Sequence, residues 1–230
     1  MSRHIIFLSG IFCDWGLWEG QIATLSDIAT CQYVAPKGAT LREMAISVLS
    51  ETPESFSLAA SSMGGYIAMY IAQIAPERIE ALFLSNVSAQ RDHSKQRELR
   101  LSTIEELKSG DFHLVVERLL PALLSPGRRA DEALIDTIRR MMHRVGRKTT
   151  LRQQLATIDR PDFRSYLPEV EIPTLVLTAE NDRVTPPELG VEIASLIKGA
   201  RLEHLATSGH LSALESQAEV TDLMRDWLLS

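Results

Sequence analysis

Short, unbroken apolar runs alternate with amphipathic stretches along most of this chain. Residues 5–9, 81–87 and 174–179 are apolar at nearly every position, as strands buried on both faces of a parallel sheet are. Residues 31–35, a segment starting at Phe56, and residues 201–206 complete six predicted strands. Between them the period changes to that of a helix. Thr40-Leu-Arg-Glu43 is a capping box, and Leu41, Met44, Ala45, Val48 and Leu49 follow on one face. Val220, Leu223, Met224, Trp227 and Leu228 mark a last helix in the same way. The βαβα alternation predicts a parallel sheet covered by helices on both sides.

The alternation stops after Val87, and no strand is predicted again before Pro173. Phe112, Val115, Val116, Leu119 and Leu120 form one helical stripe, and Leu134, Ile138, Met141 and Val145 form another that Gly146 would cap. A shorter helix is expected around Leu151 and Leu155. The charged run from Arg91 to Arg100 reads as a solvated helix face, and Trp15 and Trp18 as helix packing against the sheet.

One stretch joins strand to helix with no ordinary loop, Phe56-Ser-Leu-Ala-Ala-Ser-Ser-Met-Gly-Gly-Tyr-Ile-Ala-Met69. Ser62 stands at the joint, with Ala60 before it and Gly64 after it. This small-x-Ser-x-Gly pattern is that of a nucleophile elbow, which predicts a positive φ at Ser62. Free N–H groups at the start of the following helix would face any negative charge developing nearby. Here the sequence resembles the α/β-hydrolase superfamily over most of its length. Two positions depart from the family's habit: Ala60 replaces a usual glycine, and Ser9-Gly10 replaces the usual His-Gly of the first loop.

The resemblance implies a doubly wound α/β fold with a mostly parallel six-stranded sheet in the order 2-1-3-4-5-6. It is a reduced form of the fold, because only four residues precede the first strand. Residues 1–88 and 160–230 would form the core and residues 89–159 a helical lid. The family's acid turn is matched by Ala-Glu-Asn-Asp-Arg-Val-Thr-Pro around Asp182, and its histidine segment by Ser-Gly-His-Leu-Ser-Ala-Leu-Glu around His210. The order Ser62, Asp182, His210 is the one this fold uses. The resemblance thus implies Ser62 as nucleophile, His210 as general base and Asp182 as orienter of the imidazole. The N–H groups of Ile11 and Met63 would form the oxyanion hole. Asp92, after the fourth strand, is the alternative acid, because some relatives carry theirs there. Phe12 is the candidate for lining a pocket from the first loop, and Phe112, Leu119 and Met141 for lining it from the lid.

Composition narrows the function further. A net charge of −6 over 230 residues argues against a general nucleic-acid or anionic-membrane binder. No apolar run is long enough to span a membrane, and the N-terminal apolar run reads as a strand rather than a signal peptide. Two cysteines give no disulfide framework, so cytoplasm is the simplest compartment. No dinucleotide or P-loop motif and no metal-ligand spacing is present in the sequence, so no cofactor is expected. The leading expectation is a carboxylesterase acting on a modest-sized small-molecule ester. Thioesters, lactones and C–C bonds of β-diketone-like compounds need the same machinery. From a different class, a non-catalytic sensor or interaction protein on the same scaffold stays open. The sequence sets no oligomeric state.

Overall fold

Six strands form a single all-parallel sheet, in a computed structural model that describes residues 3–229. They are β1 (Arg3–Leu8), β2 (Ala29–Tyr33), β3 (Phe56–Ser61), β4 (Ile79–Ser85), β5 (Thr174–Ala179) and β6 (Arg201–Leu205). Their order is β2-β1-β3-β4-β5-β6, the doubly wound order expected. The continuous apolar runs have a simple cause. Ile5 and Phe7 of β1 point into the core on one face of the sheet, while Ile6 and Leu8 point into the core on the other. A strand with no solvated face needs no polar alternation. Each such side chain contributes about 1.5–3 kcal/mol by leaving water.

Helices α1 (Glu19–Leu25) and α9 (Gln217–Leu229) cover one face, their Leu25, Val220, Met224 and Trp227 joining Phe7 and Phe83. The other face is covered by α2 (Leu41–Ser50), α3 (Met63–Ile74) and α7 (Pro187–Leu196), through Met44, Val48, Ile67, Ile71 and Ile193. Thr40 caps α2, its hydroxyl accepting from the Glu43 N–H at 3.1 Å. Of the two tryptophans read as packing residues, Trp18 is fully buried against Phe7 and Phe83. Trp15 instead stays 45% exposed, with the Arg144 guanidinium 5.3 Å above its ring.

Three helices lie between β4 and β5: α4 (Ser94–Ser109), α5 (Phe112–Leu123) and α6 (Glu132–Thr157). The two helices expected to meet at Gly146 are the two halves of α6. Gly146, at φ 73° and ψ 163°, turns the axis between them. The charged run from Arg91 to Arg100 departs from a purely solvated face. Asp92 and Arg100 turn inward, because a third group, Arg160, arrives from 68 residues away to complete a buried ion cluster. Among the described residues, no helix is long and apolar enough to cross a membrane.

Strand register decides what meets at the C-terminal edge of the sheet. Leu8 of β1 pairs with Ala60 of β3. Two residues further on, Gly10 and Ser62 therefore leave the sheet side by side. They do so where the chain winds one way from β1 to β2 and the other from β3 onward, which is where open α/β sheets form their crevice.

Candidate active site

Ser62 ends β3 and begins α3 with φ 53° and ψ −118°, the positive φ expected of the elbow. Few non-glycine residues adopt such angles, and this one is held by its surroundings. Its N–H donates to Ser85 O at 3.1 Å, and its carbonyl accepts from the Gly65 N–H at 2.9 Å. The glycines beside it answer to space. A Cβ on Gly64 would lie 2.7 Å from the Leu8 carbonyl oxygen, and one on Gly10 would lie 2.9 Å from Ser62 Cβ. Ala60, standing where the superfamily usually has glycine, fits fully buried in the core beneath the turn.

The loop after β6 carries His210 to this serine. His210 Nε2 lies 3.0 Å from Ser62 Oγ, and Nδ1 lies 2.8 Å from Asp182 Oδ2. Glu215, in the short helix α8 (Ser212–Glu215), fixes that loop by accepting from the N–H groups of Gly209 at 3.0 Å and Ser125 at 2.9 Å. Asp182, after β5, is buried and accepts from four further donors. These are the Val184 and Thr185 N–H groups at 2.8 Å each, the Thr185 hydroxyl at 2.6 Å and Asn86 Nδ2 at 2.9 Å. Burial pushes the Asp182 carboxyl up, but the neighbouring imidazole and the Thr185 hydrogen bonds outweigh it, and its pKa is held below the ordinary carboxylate value.

Sequence reasoning missed Asn86 and Thr185. Asn86 sits at φ 52° directly after β4, and its Oδ1 accepts from the Ser85 and Ser212 hydroxyls. It thereby ties the ends of three connections to one carboxylate. An asparagine at the end of a strand is the usual signal of such a left-handed residue.

A cavity of about 430 Å³ opens on Ser62 and His210. Ile11, Phe12 and Leu119, all expected here, lie in its wall. Phe112 and Met141, expected with them, do not. Phe112 stacks behind Phe12 at 6.3 Å and meets the His143 ring edge-on at 5.6 Å, two helical turns short of Leu119. Met141 is 1% exposed and packs in the core, its sulfur 3.7 Å from where a Cβ on Gly16 of the first loop would stand. Cys13 also borders the cavity. Burial, with Asp14 adding to it, pushes its thiol up to about 12, so it faces the cavity uncharged. Asp92 is bonded to Arg100 and Arg160 and makes no hydrogen bond to His210 among the described residues. The N–H groups of Ile11 and Met63 have no acceptor among the described residues. No cluster of three metal-ligating side chains occurs there either.

The model of the α/β hydrolase fold family matches residues 53–217, and the chain belongs to that family. Its relatives include RutD of Yersinia enterocolitica, provisionally named a carbamate hydrolase. RutD is 24% identical over 99% of this chain and 88% of its own length. A pimeloyl-[acyl-carrier protein] methyl ester esterase of Neisseria meningitidis is 25% identical over 73% of this chain and 67% of that protein. Among solved structures, a malate-bound thermophilic esterase from Thermogutta terrifontis superposes with a TM-score of 0.89, at 26% identity, covering 99% of this chain and 90% of its own. Family and relatives together define a hydrolase.

Proposed function

We propose that this hydrolase cleaves a small carboxylic ester through an acyl-enzyme intermediate. The observation that carries the reading is the hydrogen-bonded line from Ser62 Oγ through His210 to Asp182, opening into a cavity at its serine end. A serine hydroxyl attacks poorly until a base takes its proton. Here His210 Nε2 takes the proton as Oγ bonds to the ester carbonyl carbon, and the carbonyl electrons move onto oxygen. The buried Asp182 carboxylate keeps the proton of the imidazole on Nδ1 and steadies the imidazolium that forms. The oxyanion is met by the N–H groups of Ile11 and Met63; one such donor is worth about 10²–10³ in turnover. Collapse expels the alcohol, which leaves with the proton from Nε2. Water then repeats the sequence and releases the acid.

Thioesters, lactones and carbamates need the same parts, so a panel of model substrates defines the class. The test of the chemistry is a fluorophosphonate probe read by peptide mass spectrometry. One adduct is expected, on Ser62, together with hydrolysis of short p-nitrophenyl esters. An unlabelled Ser62, or label on another residue, would sink the reading. The two free thiols suit a cytoplasmic enzyme.

In this reading α4, α5 and α6 form a substrate-covering lid, with residues 1–88 and 160–230 as the core. Leu119 is the lid side chain best placed to limit the substrate. Leu119→Ala should shift the preferred acyl chain longer by one or two carbons, with the rate of probe labelling changed less than about threefold. An unchanged chain-length profile would remove Leu119 from the substrate contact.

A further inference from the structure

The cavity is charged in a way the ester chemistry does not use. Its wall carries three guanidiniums, Arg100, Arg160 and Arg183, against one carboxylate outside the Ser62–His210–Asp182 line, Asp92. The wall therefore has two positive charges in excess, inside a chain whose net charge is −6. Two of the guanidiniums are built in. The side chains of Arg160 and Asp92 are each 3% exposed and that of Arg100 15%. Arg100 Nε lies 2.6 Å from Asp92 Oδ2, its Nη2 donates to Asp92 Oδ1 at 3.3 Å, and its Nη1 donates to Gln154 Oε1 at 2.6 Å. Arg160 donates to the Gln90 carbonyl and to Asp92. Its Nη2 has no acceptor among the described residues.

One ionised carboxylate cannot neutralise two buried guanidiniums. Burial pushes the Asp92 carboxyl up, but the two arginines outweigh it and hold its pKa low, so it stays charged. A purely structural tie between α4 and the segment before β5 would need one arginine. The second leaves an uncompensated cation with free donors, facing a cavity.

The cluster lines the same cavity as Ser62. The Arg160 guanidinium carbon lies 4.5 Å above the Tyr66 ring, and Tyr66 borders the same cavity four residues along α3 from Ser62. A ligand lying in this one cavity can therefore meet Ser62 and the guanidiniums together.

We infer, on the ester-hydrolase reading above, that the substrate bears a carboxylate a few carbons from the cleaved bond, and that Arg100 and Arg160 bind it. Two guanidiniums are held by one fixed Asp92, each a planar fork of donors, and carboxylate is the anion that such a fork matches bidentately. Arg183, exposed at the rim, adds to the field that draws an anion inward.

The experiment compares monomethyl glutarate with methyl pentanoate, and 3-acetoxypropanoate with propyl acetate, so that the anion sits on the acyl side in one pair and the alcohol side in the other. At least one anionic ester should exceed its neutral partner in kcat/KM by about tenfold or more, an effect that 0.5 M salt weakens. In Arg100→Gln, which leaves Asp92 still paired with Arg160, that ratio should fall toward unity through KM. Arg160→Lys, which keeps the charge and loses the fork, should fall between. Equal or better turnover of both neutral esters by the wild type, or a ratio untouched by both variants, overturns the anion subsite and leaves the hydrolase reading standing. Calorimetric binding of monomethyl glutarate to Ser62→Ala separates the two ideas. If no ester is cleaved and Ser62 resists the phosphonate, the hydrolase reading fails. Salt-sensitive binding to Ser62→Ala that disappears in Ser62→Ala/Arg100→Gln then still supports the anion site, and its absence overturns that as well.

Discussion

Ser62→Ala is expected to lower kcat/KM for any ester the protein cleaves by at least about 10⁴, with the fold unchanged. The size follows from the role. Without Oγ there is no covalent intermediate, and residues that act as one unit lose nearly the whole of their effect when one member is removed. What remains is binding and the oxyanion donors, worth about 10³–10⁴ over water in the serine-protease example. Stability should change little. Among the described residues Ser62 Oγ is bonded only to His210 Nε2, while the backbone bonds of Ser62 to Ser85 and Gly65 do not involve the side chain. Alanine meets the same backbone strain at φ 53° as serine does. The measurement is steady-state hydrolysis of a p-nitrophenyl ester by both proteins, with thermal unfolding as the control. A folded Ser62→Ala protein that keeps more than about a tenth of the activity shows that another group attacks the ester, and the proposed mechanism falls with it.

How much of this was readable before the fold was known depends on where the information sits along the chain. Strands such as 5–8 have both faces in the core, so burial writes an uninterrupted apolar run that reads without a partner. The joint at Ser62 is equally local, because strand, turn and helix follow within a dozen residues. Asp182 and His210 sit in short segments after strands, and the parallel register brings such ends to one edge. What stayed hidden depends on rotation and distance. Phe112, Leu119 and Met141 look alike on helical wheels, and only tertiary packing decides that Leu119 meets the cavity while Met141 meets the core. Asp92 and Arg100 read as surface charges because the group that buries them, Arg160, is 68 residues from Asp92. Asn86 carries one weak local signal, a strand-end asparagine, and its bond to Asp182 spans 96 residues.

The choice between Asp182 and Asp92 yields the last and most discriminating expectation. Asp182→Asn keeps the side-chain shape but offers an amide where His210 Nδ1–H needs an acceptor, which favours the wrong tautomer. The comparable change in the serine-protease example costs about 10⁴ in turnover, and a loss of at least about 10² is expected here. The loss should fall on kcat, because the cavity wall that holds the substrate is untouched. The Val184 and Thr185 N–H groups, which donate to Asp182 Oδ1, would still hold an asparagine in place through its carbonyl oxygen and leave its amide nitrogen toward His210, so misfolding is not the cause of the loss. Asp92→Asn acts elsewhere. It removes the only carboxylate bonded to Arg100 and Arg160 among the described residues, so two buried guanidiniums face each other. Breaking a buried pair costs about 3–5 kcal/mol when one partner is lost outright, and an amide that still accepts one hydrogen bond should bring this toward the lower end. Asp92→Asn is therefore the less stable of the two variants, yet its Ser62 should react with phosphonate within about tenfold of the wild-type rate. Measured side by side, phosphonylation and thermal unfolding should move in opposite order for the two proteins. If Asp92→Asn is instead the variant whose serine no longer reacts while Asp182→Asn retains activity, Asp182 is not the acid that serves His210.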